Sequence, residues 1–131
     1  MTLLVAFASD NKEQLTDNHF GDAKLYLIYK ISKTDTRFVG EIKNTARVDK
    51  QHGNKEKAKK IITLLKENKI QIAIAKNFGN NISQIKSEFV CILVKEDTIV
   101  SVIEIIIKHL QTIYYEWLLG ENRGVLNFKN I

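Results

Sequence analysis

The chain has 131 residues, 44% of them hydrophobic, and a formal net charge of +5. At this length one domain buries roughly two-thirds of its unfolded surface, and the composition is globular rather than disordered. No apolar run approaches the ~20 residues a bilayer-spanning helix needs. The opening Met1-Thr2-Leu3 has neither a basic segment nor a small-residue cleavage site, so a cytoplasmic protein without a membrane segment is expected.

Leu3-Leu4-Val5-Ala6-Phe7-Ala8 is a continuous apolar run, the pattern of a strand buried on both faces. The polar-and-aromatic loop Asp17-Asn18-His19-Phe20-Gly21-Asp22-Ala23 follows, and then Leu25-Tyr26-Leu27-Ile28-Tyr29, again strand-like. A loop anchored by strands at both ends holds His19 in a repeatable place. Gly21 allows close backbone approach, and Phe20 offers an apolar face to plug the fold or cover a ligand. Arg37 to Lys43 reads as a third strand, closing a β-meander.

Between Lys43 and Lys60 stand seven basic residues against Asp49 and Glu56, a net +5 that equals the charge of the entire chain. Such a field favours an anionic partner, although a solvated lysine-rich helix start explains it better than any one such partner does. Asn44, Asp49, Gln51, His52, Gly53 and Asn54 mark part of this window as loop. From Lys55 to Asn68 the apolar period changes, with Ala58, Ile61, Ile62 and Leu65 on one helical stripe. Ile70 to Ala75 is a fourth strand. Gly79-Asn80-Asn81 opens a short helix carrying Ile82 and Ile85, with Asn80 or Asn81 as N-cap. Phe89 to Val94 is a fifth strand, whose Cys91 reads as a small buried hydrophobe. In Thr98 to Glu116 the run Ile105-Ile106-Ile107 is locally strand-like. Ile99, Val102, Ile103, Ile106, Leu110 and Ile113 nevertheless keep helical spacing over four turns, which predicts helix.

The order β-β-β-α-β-α-β-α predicts one α/β domain with a mixed five-stranded sheet flanked by helices, its later strands parallel and joined by right-handed crossovers. Ile61, Ile62, Leu65, Ile72, Ile74, Val90 and Ile92 are expected in the core. Residues 1–110 carry this domain. Residues 111–131, with Tyr114-Tyr115-Glu116-Trp117, form an aromatic extension expected to pack on it or in a homodimer interface.

The His19-Phe20-Gly21-Asp22-Ala23 segment followed by a strand resembles the His-Phe-Gly-x-Ala signature of the dinitrogenase iron–molybdenum cofactor biosynthesis family. Gln51-His52-Gly53 stands where that family carries a glycine-containing loop before its first helix. Ile72 to Asn81 is similar to its strand, glycine and small-residue helix start. The resemblance covers about residues 3–110 and implies a ribonuclease-H-like topology and a nitrogenase cofactor accessory role. Lys43-Asn44-Thr45-Ala46 departs from it, lacking the proline of the family's frequent Glu-Asn-Pro. Carried over by position, the resemblance points to His19, Phe20 and Gly21, to His52, and to Asn77, Gly79 and Asn80 as cofactor-contacting residues, with His19 as the metal ligand. The implied cargo is an iron–molybdenum or iron–sulfur cluster, bound transiently, and the implied partners are cluster donor and acceptor proteins.

The residue chemistry is compatible with that role. A neutral imidazole is a good ligand for borderline metals, and a basic rim suits an anionic cluster. Two histidines on separate loops make an open site, unlike a closed four-ligand structural zinc site. An ordinary turn with a polar histidine accounts for the spacing alone. His109, beside Lys108, reads as a surface or interface residue. Catalysis has little support: the central strands carry no carboxylates for a two-metal nuclease, and neither a glycine-rich nucleotide loop nor a convincing nucleophile context around Ser9, Asp17 and His19 is present. The Lys43 to Lys60 window has no aromatic residue to stack bases, which argues against nucleic acid. Two readings stand: a non-catalytic cluster carrier, and a metal-free protein-interaction module of the same fold.

Overall fold

The apolar runs become strands, and the difference between large and small side chains decides what each face of the sheet receives. The computed structural model describes residues 1–46 and 54–131. β1 (Thr2–Ser9), β2 (Leu25–Ser32) and β3 (Thr36–Lys43) form an antiparallel meander, with a register shift where β3 passes Ile28 and Tyr29. α1 (Asn54–Glu67) leads to β4 (Ile72–Ala75), α2 (Ile82–Lys86) to β5 (Val90–Leu93), and α3 (Ile99–Lys108) with α4 (Leu110–Leu118) to β6 (Val125–Asn127). The sheet order is β3-β2-β1-β4-β5-β6, with β1, β4, β5 and β6 paired in parallel.

Successive strand residues point to opposite faces. Leu3, Val5, Phe7, Ile72, Ile74, Val90 and Ile92 meet Val102 and Ile106 of α3 and Leu110 and Ile113 of α4. On the other face Ala6, Ala8, Ala73 and Ala75 line up, and Ile61 and Leu65 of α1 and Ile85 of α2 close over them. Four alanines leave space beneath α1. Phe20, Tyr26 and Phe78 fill it. Of the expected core residues, Ile62 is only partly buried and packs at the margin of this second cluster.

The sheet has six strands, not five. β6 escapes the sequence reading because it is three residues long and lies at a sheet edge, too short to display alternation; Phe128 just after it is buried beside His109, ring centres 5.0 Å apart. The long helix from Thr98 is interrupted. His109 leaves helical geometry (φ −118°, ψ 21°), and its N–H reaches the carbonyls of both Ile105 and Ile106. Helical spacing nevertheless runs on, because α4 begins at once and the Ile113 N–H donates to the His109 carbonyl (3.0 Å). Thr98 caps α3, its hydroxyl oxygen accepting from the Ser101 N–H at 3.3 Å. At the start of α2 the cap position falls to Asn81, after a 3₁₀ turn over Gly79–Asn81, with no side-chain bond back into the first turn. Among the described residues no helix is long and apolar enough to cross a membrane.

Candidate functional site

The loop between β1 and β2 leaves the carboxyl end of β1, and the turn carrying Asn77 to Asn81 leaves the carboxyl end of β4, its parallel neighbour. Crevices outside these strand ends are where open α/β sheets collect ligands. The two segments are joined by the Phe20 N–H, which donates to the Asn77 carbonyl (2.8 Å). Asn77 also turns its own backbone, its side-chain oxygen accepting from the Gly79 N–H (3.2 Å). Asn77 therefore shapes the turn from beneath.

Each residue of the signature has a distinct placement. Phe20 is fully buried and points into the fold, 5.2 Å from the Phe78 ring and 4.9 Å from that of Tyr26. It plugs the layer under α1 and fixes the loop; aromatic pairs of this kind contribute about 0.5–1.5 kcal/mol beyond area burial. The Tyr26 hydroxyl donates to the Phe20 carbonyl (2.8 Å). Burial, with a contribution from the Asp22 carboxylate, pushes the Tyr26 phenol far above its ordinary range. Buried Asn44 finishes the frame: its side-chain nitrogen donates to the carbonyls of Gly21 (2.9 Å) and Ala23 (2.8 Å), and its oxygen accepts from the Ala46 N–H (3.1 Å).

With Phe20 pinned, His19 is turned outward. Its side chain is 51% exposed, and Nδ1 lies 3.9 Å from the Asp22 carboxylate. The imidazole rests on Gly79: a Cβ built there would fall 2.5 Å from Nδ1 and 2.9 Å from Cγ. Gly79 also has φ +76°, so this contact and its backbone both exclude a larger residue. Gly21 likewise faces Ile61, whose Cδ1 would lie 3.2 Å from an added Cβ.

A small cavity of about 100 Å³ opens beside His19, lined also by Gly21, Asp22, Lys57, Phe78 and Asn80 among others. Ile61, Phe78 and Ile85 give it an apolar floor; Asn80 and Asn81 give it amide groups. Lys57, in the first turn of α1, contacts the Asp22 carboxylate. A second clamp holds the loop from the far side, where the Lys76 ammonium meets Asp17 (2.7 Å) and Asp97. Those hydrogen bonds hold the Lys76 pKa above the usual lysine value. Asp10 serves the loop as well, accepting from the Thr16 hydroxyl (2.6 Å) and the Lys24 N–H (2.9 Å).

His19, Gly21, Gly79 and Asn80 are thus brought together, with Asn77 as their support and Phe20 as their anchor. His52 lies outside the described residues. His109 is far along the fold, against Phe128. The sequence pattern did not single out Asp22, Lys57 or Ile85 as cavity residues, nor Asn44 and Lys76 as its supports; their partners stand tens of positions away and only the folded topology joins them. Among the described residues no group of three or more His, Cys, Asp or Glu side chains converges as a metal site. The arrangement offers one outward imidazole beside polar amides, not a coordination cage.

The family model described as dinitrogenase iron-molybdenum cofactor matches residues 1–109, and the chain belongs to that family. Comparison with curated proteins finds no match.

Proposed function

We propose that the protein is a non-catalytic carrier for an anionic iron–sulfur or iron–molybdenum cluster, held transiently with His19 as the iron-ligating side chain. The observation that carries this reading is the half-exposed imidazole, seated on Gly79 at the lip of a cavity outside the ends of β1 and β4. Membership in a family described by the iron–molybdenum cofactor supplies the cargo class. A space of about 100 Å³ is well below the roughly 300–1,000 Å³ of drug-sized ligand pockets. A cluster therefore sits at the mouth, against His19, Asn80 and Gly79.

A single protein ligand makes a reversible hold, suited to passing cargo from a donor protein to an acceptor, whereas closed sites with four ligands retain their metal. Lone-pair donation from a neutral imidazole supplies the bond to iron. The amino end of α1, whose first turn brings Lys57 to the cavity, favours an anion at the mouth. The strand order, with β2 alone running against the others, supports reading the fold as ribonuclease-H-like.

Anaerobic incubation of the metal-free protein with iron–sulfur and iron–molybdenum clusters, followed by gel filtration and iron analysis, tests the proposal. Iron co-elutes with the wild-type protein and is largely lost from His19→Ala. Neutralising Lys50, Lys55 and Lys57 slows capture and flattens its salt dependence, because attraction between exposed charges is screened within about 8–10 Å. Undiminished uptake by His19→Ala moves the site elsewhere. No uptake of any cluster by the wild type leaves the metal-free interaction module.

A further inference from the structure

We propose, resting on the carrier reading, that His19 binds iron through Nε2 and that Asp22 is the positioning residue that keeps the imidazole proton on Nδ1. Which ring nitrogen can face a ligand follows from what covers the ring. The ring atoms nearest a Cβ built on Gly79 are Nδ1 (2.5 Å), Cγ (2.9 Å) and Cε1 (3.0 Å), that is, Nδ1 and its two ring neighbours. The Nδ1 side therefore lies against the Gly79 backbone and leaves no room for an iron atom with further ligands of its own. The side chain is nevertheless 51% exposed. That exposure belongs to the opposite edge of the ring, which carries Nε2.

The covered nitrogen also faces a carboxylate. Asp22 stands three residues after His19, and its N–H donates to the His19 carbonyl (2.9 Å), closing the 3₁₀ turn over Phe20–Asp22. This turn sets Oδ2 of Asp22 3.9 Å from Nδ1. The other oxygen, Oδ1, meets the Lys57 ammonium, whose side chain is only 17% exposed. One carboxylate oxygen thus ties the loop to α1 while the other faces the histidine. At 3.9 Å the contact is too long for a hydrogen bond. It acts as an electrostatic bias, and a movement of about 1 Å by two partly exposed side chains closes it.

The chemistry of ligation needs this arrangement. A neutral imidazole offers one lone pair, so the ligating nitrogen is bare only when the other carries the proton. A carboxylate beside Nδ1 favours that tautomer, and partners of this kind orient metal-ligating histidines and raise their basicity. A histidine on a free loop samples both tautomers and several ring orientations. Here Gly79 fixes where the ring rests and Asp22 fixes where its proton sits. Lys57 completes the device: it offsets the Asp22 charge, so the positioning carboxylate does not repel an anionic cluster from the mouth.

Nitrogen NMR of the metal-free full chain labelled with ¹⁵N-histidine reads the tautomer directly, because protonated and bare ring nitrogens resonate far apart. The measurement is made near about pH 8.5, where an ordinary imidazole is neutral, and His19→Ala assigns the signals. Wild-type His19 is mainly the Nδ1–H form. The Nε2–H form becomes the major one in Asp22→Asn, which keeps the shape and removes the charge, and in Asp22→Ala; circular dichroism verifies that both variants stay folded. Cluster uptake weakens about tenfold in either variant, the low end for such partners because both side chains are partly exposed. In the loaded wild type, histidine labelled at Nε2 alone gives the strong hyperfine coupling and histidine labelled at Nδ1 alone a weak one. A wild-type His19 protonated mainly on Nε2 overturns the proposal. So does a tautomer balance unchanged in both Asp22 variants, or strong coupling through Nδ1. A wild type that takes up no cluster overturns the carrier reading instead, and the two failures are told apart because the tautomer is read without metal.

Discussion

Gly79→Ala isolates the contact that aims His19. A methyl group at this position meets Nδ1 at 2.5 Å and Cγ at 2.9 Å, closer than nonbonded atoms approach, while the backbone is held at φ +76°. The positive φ costs about 1–2 kcal/mol for any side-chain-bearing residue. The clash itself adds little to stability, because the imidazole is half exposed and swings into solvent. The expected result is a protein destabilised by about 1–2 kcal/mol, still folded, with His19 no longer at the lip of the cavity. Gly120→Ala is the matched control: φ is +58° and nothing lies within 4 Å of the added Cβ, so it carries the backbone strain without the displacement. Urea unfolding of both variants is compared with cluster uptake. Similar stability loss in the two, with uptake lost only in Gly79→Ala, is expected. If Gly79→Ala keeps wild-type uptake, or loses no more than Gly120→Ala, the rest of His19 on Gly79 does not position the ligand.

Asn44→Asp keeps the shape but removes the donor to the Gly21 and Ala23 carbonyls. Leaving these buried acceptors unpaired costs about 2–4 kcal/mol, read as a lower urea midpoint with an unchanged m-value. Lys76→Met releases Asp17 and Asp97, both largely exposed, so it costs about 1 kcal/mol or less, and the difference from wild type shrinks in high salt. Burial pushes the Cys91 thiol up to about 12, and folding therefore favours its neutral form. That stabilisation is intact below the ordinary thiol pKa and is lost as pH rises toward 12, at about 1.4 kcal/mol per pH unit once the unfolded thiol is ionised. Cys91→Ala flattens the fall in stability between about pH 9 and 10, before Tyr26 contributes with the same sign; an unchanged slope contradicts the assignment.

Long periodic segments were legible in the sequence. The stripe from Ala58 to Leu65 and the apolar runs of β1, β4 and β5 led to the observed elements because burial of these side chains is what holds them. The continuous apolar run Leu3 to Ala8 also held a finer message: its large residues face α3 and α4 while its alanines face α1, and the same alternation recurs at Ile72 to Ala75. That pattern shows where the aromatic plug fits. β6 was not legible, since three residues at an edge draw their order from pairing with β5 and from burial of Phe128. Around the site, His19, Gly21 and Gly79 were visible as residue types with special chemistry or backbone freedom. Asn44 and Lys57 were not, because an amide and a lysine carry no signal until the chain brings them to Gly21 and Asp22.

The most direct test of the carrier account is nitrogen hyperfine spectroscopy on the protein loaded with a paramagnetic cluster. The chain contains three histidines, His19, His52 and His109. Labelling with ¹⁵N-histidine separates imidazole from backbone nitrogen, and the His19→Ala variant separates His19 from the other two. The account predicts one strongly coupled histidine nitrogen in the wild-type complex and its disappearance in His19→Ala. The same coupling in both proteins, or no histidine coupling in a stoichiometrically loaded wild type, contradicts it.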